Sequence, residues 1–138
     1  MRMICVDDEE RILNLTVSVC LGLPQHPEVT GFTRALEALE YLREQTVDIA
    51  LLEIHLPDMD GLTLAARITE ESPGTSVIFL TDYAEYAVDA FRLHVSGYLL
   101  KPVSPEQLAA EVDYALSHAE KKKAKQESHI AARTFGEL

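Results

Sequence analysis

The sequence predicts a doubly wound α/β domain in which five parallel strands are each followed by a helix, and three observations carry that prediction. Five short apolar runs alternate with five helical patterns. Runs such as ICV, IALL, VIFL and YLL are nearly continuous, as strands covered on both faces are, and the residues just after them are unusually polar. The 138 residues suffice for one ordinary domain and not for two.

Met1 to Val6 reads as the first strand, and Ile12, Leu15, Val19 and Leu23 recur after it at helical spacing. Glu28 to Phe32 is the second strand, followed by a helix with Ala35, Leu39 and Leu42 on one face. Val47 to Ile54 precedes a helix marked by Leu64 and Ile68, and Thr75 to Leu80 precedes one marked by Ala84, Ala87, Val88 and Phe91. Ser96 to Leu100 is the fifth strand. The last helix has the clearest start: Ser104 as N-cap, Pro105 at the first helical position and Gln107 at the third form a capping box, ahead of Leu108, Val112, Ala115 and Ala119. Right-handed crossovers put helices on both faces of such a sheet, and its ligands bind beyond the carboxyl ends of the strands.

Composition narrows the function. A hydrophobic share of 47% with 25% charged residues and a mean hydropathy of -0.01 describes a globular chain with too much apolar material for disorder. No apolar run reaches the roughly 18 residues of a membrane span, and the start MRMICVDDEE carries acids where a signal peptide is apolar, so a cytoplasmic location is expected. Cys5 and Cys20 form no C-x-x-C pair and the five histidines lie far apart, which suggests buried free thiols and no zinc site. Through Glu120 there are 21 acids against 7 bases, and from Lys121 onward 5 bases against 2 acids. The acidic body offers no phosphate-binding surface, so residues 1–120 are expected to make no nucleic-acid contact. Lys121 to Lys123 read first as a favourable helix C-terminus. No G-x-G-x-x-G or G-x-x-x-x-G-K-[ST] is present, which argues against dinucleotide and nucleoside triphosphate pockets.

The strand ends supply the chemistry. In order they are Asp7, Asp8 and Glu9; Glu53; Thr81 and Asp82; and Lys101. Two carboxylates about 5 Å apart repel by roughly 3 kcal/mol at an effective dielectric near 20, so Asp7, Asp8 and Glu53 together require cations. Lys101, the only lysine before Lys121, supplies one. A hard divalent ion supplies more, and Mg2+ suits one or two carboxylates, a carbonyl and retained waters. Each residue also has a plainer reading: Asp8 or Glu9 as cap of the first helix, Thr81 as a helix cap, and Tyr83 and Tyr86 as partial packing.

Asp7-Asp8-Glu9, then DIALLEIHLPDMDG from Asp48 to Gly61, then Thr81, then Tyr98-Leu99-Leu100-Lys101-Pro102, together resemble the receiver domain of bacterial two-component response regulators. The resemblance covers Met1 to about Ala119. It implies a flavodoxin-like fold with strand order 2-1-3-4-5, a receiver over residues 1–120, and over 121–138 a linker and the start of a C-terminal effector that binds DNA. It implies Mg2+ held at Asp7, Asp8, Glu53 and the backbone carbonyl of His55, phosphoryl contacts from Thr81 and Lys101, and switch roles for Thr81 and Tyr98. A cis Lys101-Pro102 bond and a turn shaped by Pro57 and Gly61 belong to the same pattern. The implied partners are a sensor histidine kinase, a fused transcriptional effector and a second receiver, docked through a face that includes Asp89, Arg92, His94, Glu111 and Asp113. The terminal ARTFGEL resembles the opening of a winged-helix effector.

One position departs from the family. Glu53 stands where the phospho-accepting aspartate belongs, and its extra methylene displaces the carboxylate by about a bond length, when misplacement by 1 Å can cost on the order of a hundredfold in rate. Slow or absent phosphotransfer is expected. Glu53 could reach toward Lys101 and Thr81 as a partial mimic of phosphoaspartate, or could simply disable the acceptor. The competing function on the same carboxylates is a Mg-dependent phosphohydrolase, which wants an aspartate nucleophile after the first strand and a cap domain for which the chain has no room. Flavin binding is disfavoured, since no Ser/Thr/Gly-rich loop follows the first strand and Trp is absent.

Overall fold

The computed structural model describes residues 1–119, in which β1 (Arg2–Val6), α1 (Glu10–Leu21), β2 (Glu28–Phe32), α2 (Ala35–Glu44), β3 (Ile49–Leu52), α3 (Gly61–Glu71), β4 (Ser76–Thr81), α4 (Ala87–Arg92) and β5 (Gly97–Leu100) precede a last helix, α5, over residues 105–119. The sheet is wholly parallel with order β2-β1-β3-β4-β5, and the fold is the expected flavodoxin-like α/β arrangement. The expected linker, Lys121 to Lys123 and the ARTFGEL segment lie outside the described residues.

Alternation along the strands builds two cores. Ile4, Val6, Ala50, Leu52, Val77 and Phe79 face α2, α3 and α4, where Ala35, Ala38, Leu39, Leu42, Leu64, Ala65, Ile68 and Ala90 meet them. Met3, Cys5, Ile49, Leu51, Ile78 and Leu80 face the other way, against Leu13 and Cys20 of α1 and Leu108, Val112 and Ala115 of α5. Both cysteines are free and buried. No helix among the described residues is long and apolar enough to cross a membrane.

Two helices turn differently from expectation. Of the expected Ile12, Leu15, Val19, Leu23 stripe, Leu23 is buried and Val19 packs against the core, while Leu15 is 56% exposed and Leu13 and Cys20 are the buried residues of α1. In α4 only Ala90 is buried, and Val88 and Phe91 are 64% and 58% exposed. The apolar pattern there marked the outer face, because a helix of six residues covers the sheet with little more than one turn. Strand β3 is also shorter than Val47 to Ile54, since Val47 gives its carbonyl to the Thr75 hydroxyl instead of a ladder partner.

The helix starts differ in kind. The Ser104 box forms as expected, with Gln107 N–H donating to Ser104 Oγ at 3.1 Å and Ser104 N–H to Gln107 Oε1 at 3.0 Å. For α3, Asp60 accepts from Leu62 N–H at 2.7 Å. For α2, the N-cap residue Arg34 offers no side-chain cap, and the carboxylate of Asp58 takes that role from the β3–α3 loop, accepting from Ala35 and Leu36 N–H at 2.9 Å each. Burial works against the Asp58 carboxylate, but the amides of Leu36 and Ala35 and the Arg34 charge hold its pKa below the ordinary value.

Two outcomes follow for stability. A methyl added at Gly61 would sit 2.2 Å from the Glu53 carbonyl oxygen and 2.7 Å from Ile54 Cα, both backbone, so Gly61→Ala should cost at least about 1–3 kcal/mol in urea unfolding. Asp58→Ala should cost about 1 kcal/mol at neutral pH, as a lost cap does. A depressed folded pKa means that Asp58 stabilises fully above its unfolded value near 3.9 and that this is lost as pH falls through the folded value. The gap between wild type and Asp58→Ala should therefore close below about pH 4, and a gap of constant size through acid would contradict the capping role.

Candidate functional site

The parallel ladder carries the site past the strands. Asp7 N–H donates to Phe32 O at 3.0 Å, Glu53 N–H to Val6 O at 3.0 Å and Lys101 N–H to Thr81 O at 2.8 Å, so each residue is seated by one more rung beyond its strand. Strand parity sorts the side chains. Asp7, Glu53 and Lys101 share the parity of Cys5, Leu51 and Leu99, whereas Thr81 shares that of Phe79.

Asp7, Glu53 and Lys101 meet. Lys101 Nζ donates to Asp7 Oδ2 at 2.7 Å and lies 3.5 Å from Glu53 Oε1, with all three side chains no more than 13% exposed. Burial pulls the Lys101 pKa down, but the Asp7 hydrogen bond and the charges of Asp7, Glu53 and Asp82 hold it above its ordinary value. Glu53 uses its other oxygen locally, Oε2 accepting from Ile54 N–H at 2.9 Å. Asp7 Oδ1 accepts from Glu9 N–H at 3.0 Å, and neither Glu9 at the N-cap nor Asp8, which is exposed, caps α1.

Thr81 and Tyr98 converge elsewhere, on the backbone of Tyr83. The fully buried Thr81 accepts from Tyr83 N–H through Oγ1 at 3.3 Å, and the Tyr98 hydroxyl donates to the Tyr83 carbonyl. The expected reach of Glu53 toward both Lys101 and Thr81 is thus met at Lys101 alone. Tyr98 packs on Phe79 with centroids 5.8 Å apart, and burial, then the charges of Glu85 and Glu53, raise its pKa.

A feature that sequence reasoning missed sits on the rim. The His55 ring takes the edges of Tyr83 and Tyr86, at 4.4 and 5.4 Å between centroids. The available signal was positional, since His55 lies two residues after Glu53 and Tyr83 two after Thr81 on neighbouring strands. The Lys101-Pro102 bond is cis.

Among the described residues, no three His, Cys, Asp or Glu side chains come together as a metal cage. The donor chemistry nevertheless fits Mg2+, which needs one or two carboxylates with a carbonyl and water, and the oxygens of Asp7, Asp8, Glu53 and His55 would provide that set. Beneath the site lies a cavity of about 10 Å3, lined by Cys5, Asp7, Leu13, Thr16 and Glu53 among others, with room for about one water.

Residues 3–113 match the family model of the response regulator receiver domain, a stretch that holds every residue of the site. The chain belongs to the response regulator receiver family. Receiver relatives include the sensory transduction protein LytT of Enterococcus faecalis, 34% identical over 83% of this chain and 48% of its own length. The transcriptional regulatory protein YpdB of Escherichia coli K12 is 31% identical over 78% of this chain and 44% of its own. The chain spans about half the length of these curated relatives. Among solved structures, the CheY-like receiver domain of Methanospirillum hungatei JF-1 superposes with a TM-score of 0.81 at 31% identity, covering 88% of this chain and 97% of that one. TrrA of Thermotoga maritima, solved in complex with Mg(2+)-BeF, gives 0.74 at 25% identity over 83% and 97%. A receiver is a signalling module, not an enzyme in the usual sense.

Removing the shared ammonium should be costly. Lys101→Met, measured by urea unfolding at pH 7 without divalent ions, should lose about 2–3 kcal/mol, because two nearly buried carboxylates are left without their cation. Glu53→Gln in that background should recover part of the loss. No recovery would show that Lys101 acts by packing alone.

Proposed function

We propose that this receiver is the regulatory half of a longer, cytoplasmic transcription regulator in which Glu53 occupies the phospho-acceptor position. The observation that carries the reading is the single ammonium shared by Asp7 and Glu53 at the strand ends. Asp7, Asp8, Glu53 and the His55 carbonyl would hold Mg2+, which when bound supplies charge neutralisation for phosphoryl oxygens. Lys101 neutralises a further oxygen and Thr81 donates a hydroxyl once it turns from Tyr83. The carboxylate of Glu53 faces Lys101 from one carbon further along its side chain, so a sensor histidine kinase phosphorylates it slowly or not at all.

The Glu53–Lys101 pair gives the domain a partial, phosphorylation-independent shift toward its active form. The shift is partial because a phosphoryl group brings about -1.5 to -2 charges and three acceptor oxygens where Glu brings one charge and two. A full reversal from 1:99 to 99:1 needs about 5.5 kcal/mol, and one pair at 3.5 Å with Thr81 unengaged falls short of it. The output is carried by a fused effector that binds DNA, in line with relatives twice as long as this chain, one of them a transcriptional regulator. Self-association through α4, β5 and α5 fits the exposure of Val88 and Phe91 beside Asp89, Arg92, His94, Glu111 and Asp113.

Light scattering on this protein and on Glu53→Asp, alone and with Mg2+ and beryllofluoride, tests the reading. The expected result is partial dimerisation of the Glu53 protein that beryllofluoride does not change, with Glu53→Asp monomeric alone and dimeric with beryllofluoride. A Glu53 protein that stays monomeric while Glu53→Asp responds would replace the mimic by a disabled acceptor. A Glu53→Asp protein with no response would overturn the assignment of the acceptor position.

A further inference from the structure

The β3–α3 loop carries two aspartates, and each serves a different helix. Asp60 caps α3 in the ordinary local way. Asp58 reaches a helix more than twenty residues upstream in the chain, splitting its carboxylate between Ala35 N–H through Oδ1 and Leu36 N–H through Oδ2, both at 2.9 Å.

The same loop is pinned at its neck. Gly61 N–H donates to Ile54 O at 2.6 Å, and an antiparallel bridge pairs His55 with Asp60. Residues 54–61 thus form a closed loop held at its neck on the end of β3, along its length by Leu56 and Met59 packed against the core, and at its tip through Asp58 on α2. The carbonyl of His55 and the backbone that carries Glu53 lie in the neck. Apolar packing sets the depth of the loop but not its direction, and the Asp58 carboxylate adds two directional hydrogen bonds that fix the tip against α2.

We infer that Asp58 is a positioning residue for the acid site: by fastening the loop tip to α2 it orients the His55 carbonyl toward a Mg2+ ion shared with Glu53. The inference rests on the metal reading given above. Groups that orient metal ligands without touching the metal commonly change affinity by about 10–100-fold. Because the neck contacts survive when Asp58 is lost, an effect of about tenfold is expected.

The test is a titration with Mg2+ alone, followed through the amide NMR shifts of Asp8, Ile54 and His55, in wild type, Asp58→Ala, Asp58→Asn and Thr75→Val. Asn keeps one oxygen acceptor and serves as a second variant if Asp58→Ala folds poorly. Thr75→Val removes a buried hydrogen bond to Val47 O at the opposite end of the sheet and controls for lost stability. The Mg2+ Kd should rise about tenfold in Asp58→Ala and less than about threefold in Asp58→Asn, with Thr75→Val unchanged. Amide exchange at Ala35 and Leu36 should accelerate in Asp58→Ala. An unchanged Kd in Asp58→Ala, or an equal rise in Thr75→Val, would overturn the positioning role. Absence of any Mg2+ shift in wild type would overturn the metal reading and this inference with it, so the wild-type curve separates the two failures.

Discussion

Lys101 is the constraint on which the site depends. Parallel strands set their carboxyl ends side by side, and acidic residues after β1 and β3 accumulate negative charge that only a cation can offset. Lys101 comes from β5, with β4 and β3 between it and β1. At the usual strand spacing that is roughly 14 Å of sheet, and a lysine meeting an aspartate covers most of it. The 2.7 Å contact with Asp7 therefore ties the end of β1 to the edge strand β5.

Glu53 reads differently once its surroundings are known. A carboxylate one carbon longer than aspartate has two ways to settle at a strand end: outward into the cleft or back onto its own backbone. It does some of each, with Oε1 facing Lys101 and Oε2 on the Ile54 amide. The Ile54 hydrogen bond orients one oxygen and leaves the other for the ammonium. A side chain so held has both oxygens engaged, one by its own backbone and one by the ammonium.

The fold was legible because buried parallel strands write themselves as unbroken apolar runs, and Asp7, Glu53, Thr81 and Lys101 were legible because each directly follows one. Periodicity failed where the helix is short or its neighbours are mixed. Leu15 and Leu13 differ by two positions on α1, and Thr16 and Cys20 complete a stripe that apolarity alone does not mark. In α4, Val88 and Phe91 are apolar and outward, a choice that burial cannot explain and an interface can. The Asp58 cap was invisible for another reason. Its partners are 22 and 23 residues away, and only the absence of an Asp, Ser or Asn just before Ala35 hinted that α2 borrows its cap.

Thr81 and Tyr98 show how the cleft reaches α4. Both hold Tyr83, one at its amide and one at its carbonyl, and the Tyr83 ring lies against His55 and beside Tyr86, the residue that precedes α4. A Thr81 side chain that rotated to bring its hydroxyl to a phosphoryl oxygen would abandon the Tyr83 amide. The Tyr83 amide is only partly buried, so a small movement of the loop is enough for it to find another acceptor or water. Displacing Tyr83 shifts the acceptor of the Tyr98 hydroxyl as well. The two residues would therefore respond together because they share one backbone unit, and the short α4, with Ala90 as its one buried residue, has little packing to resist that displacement.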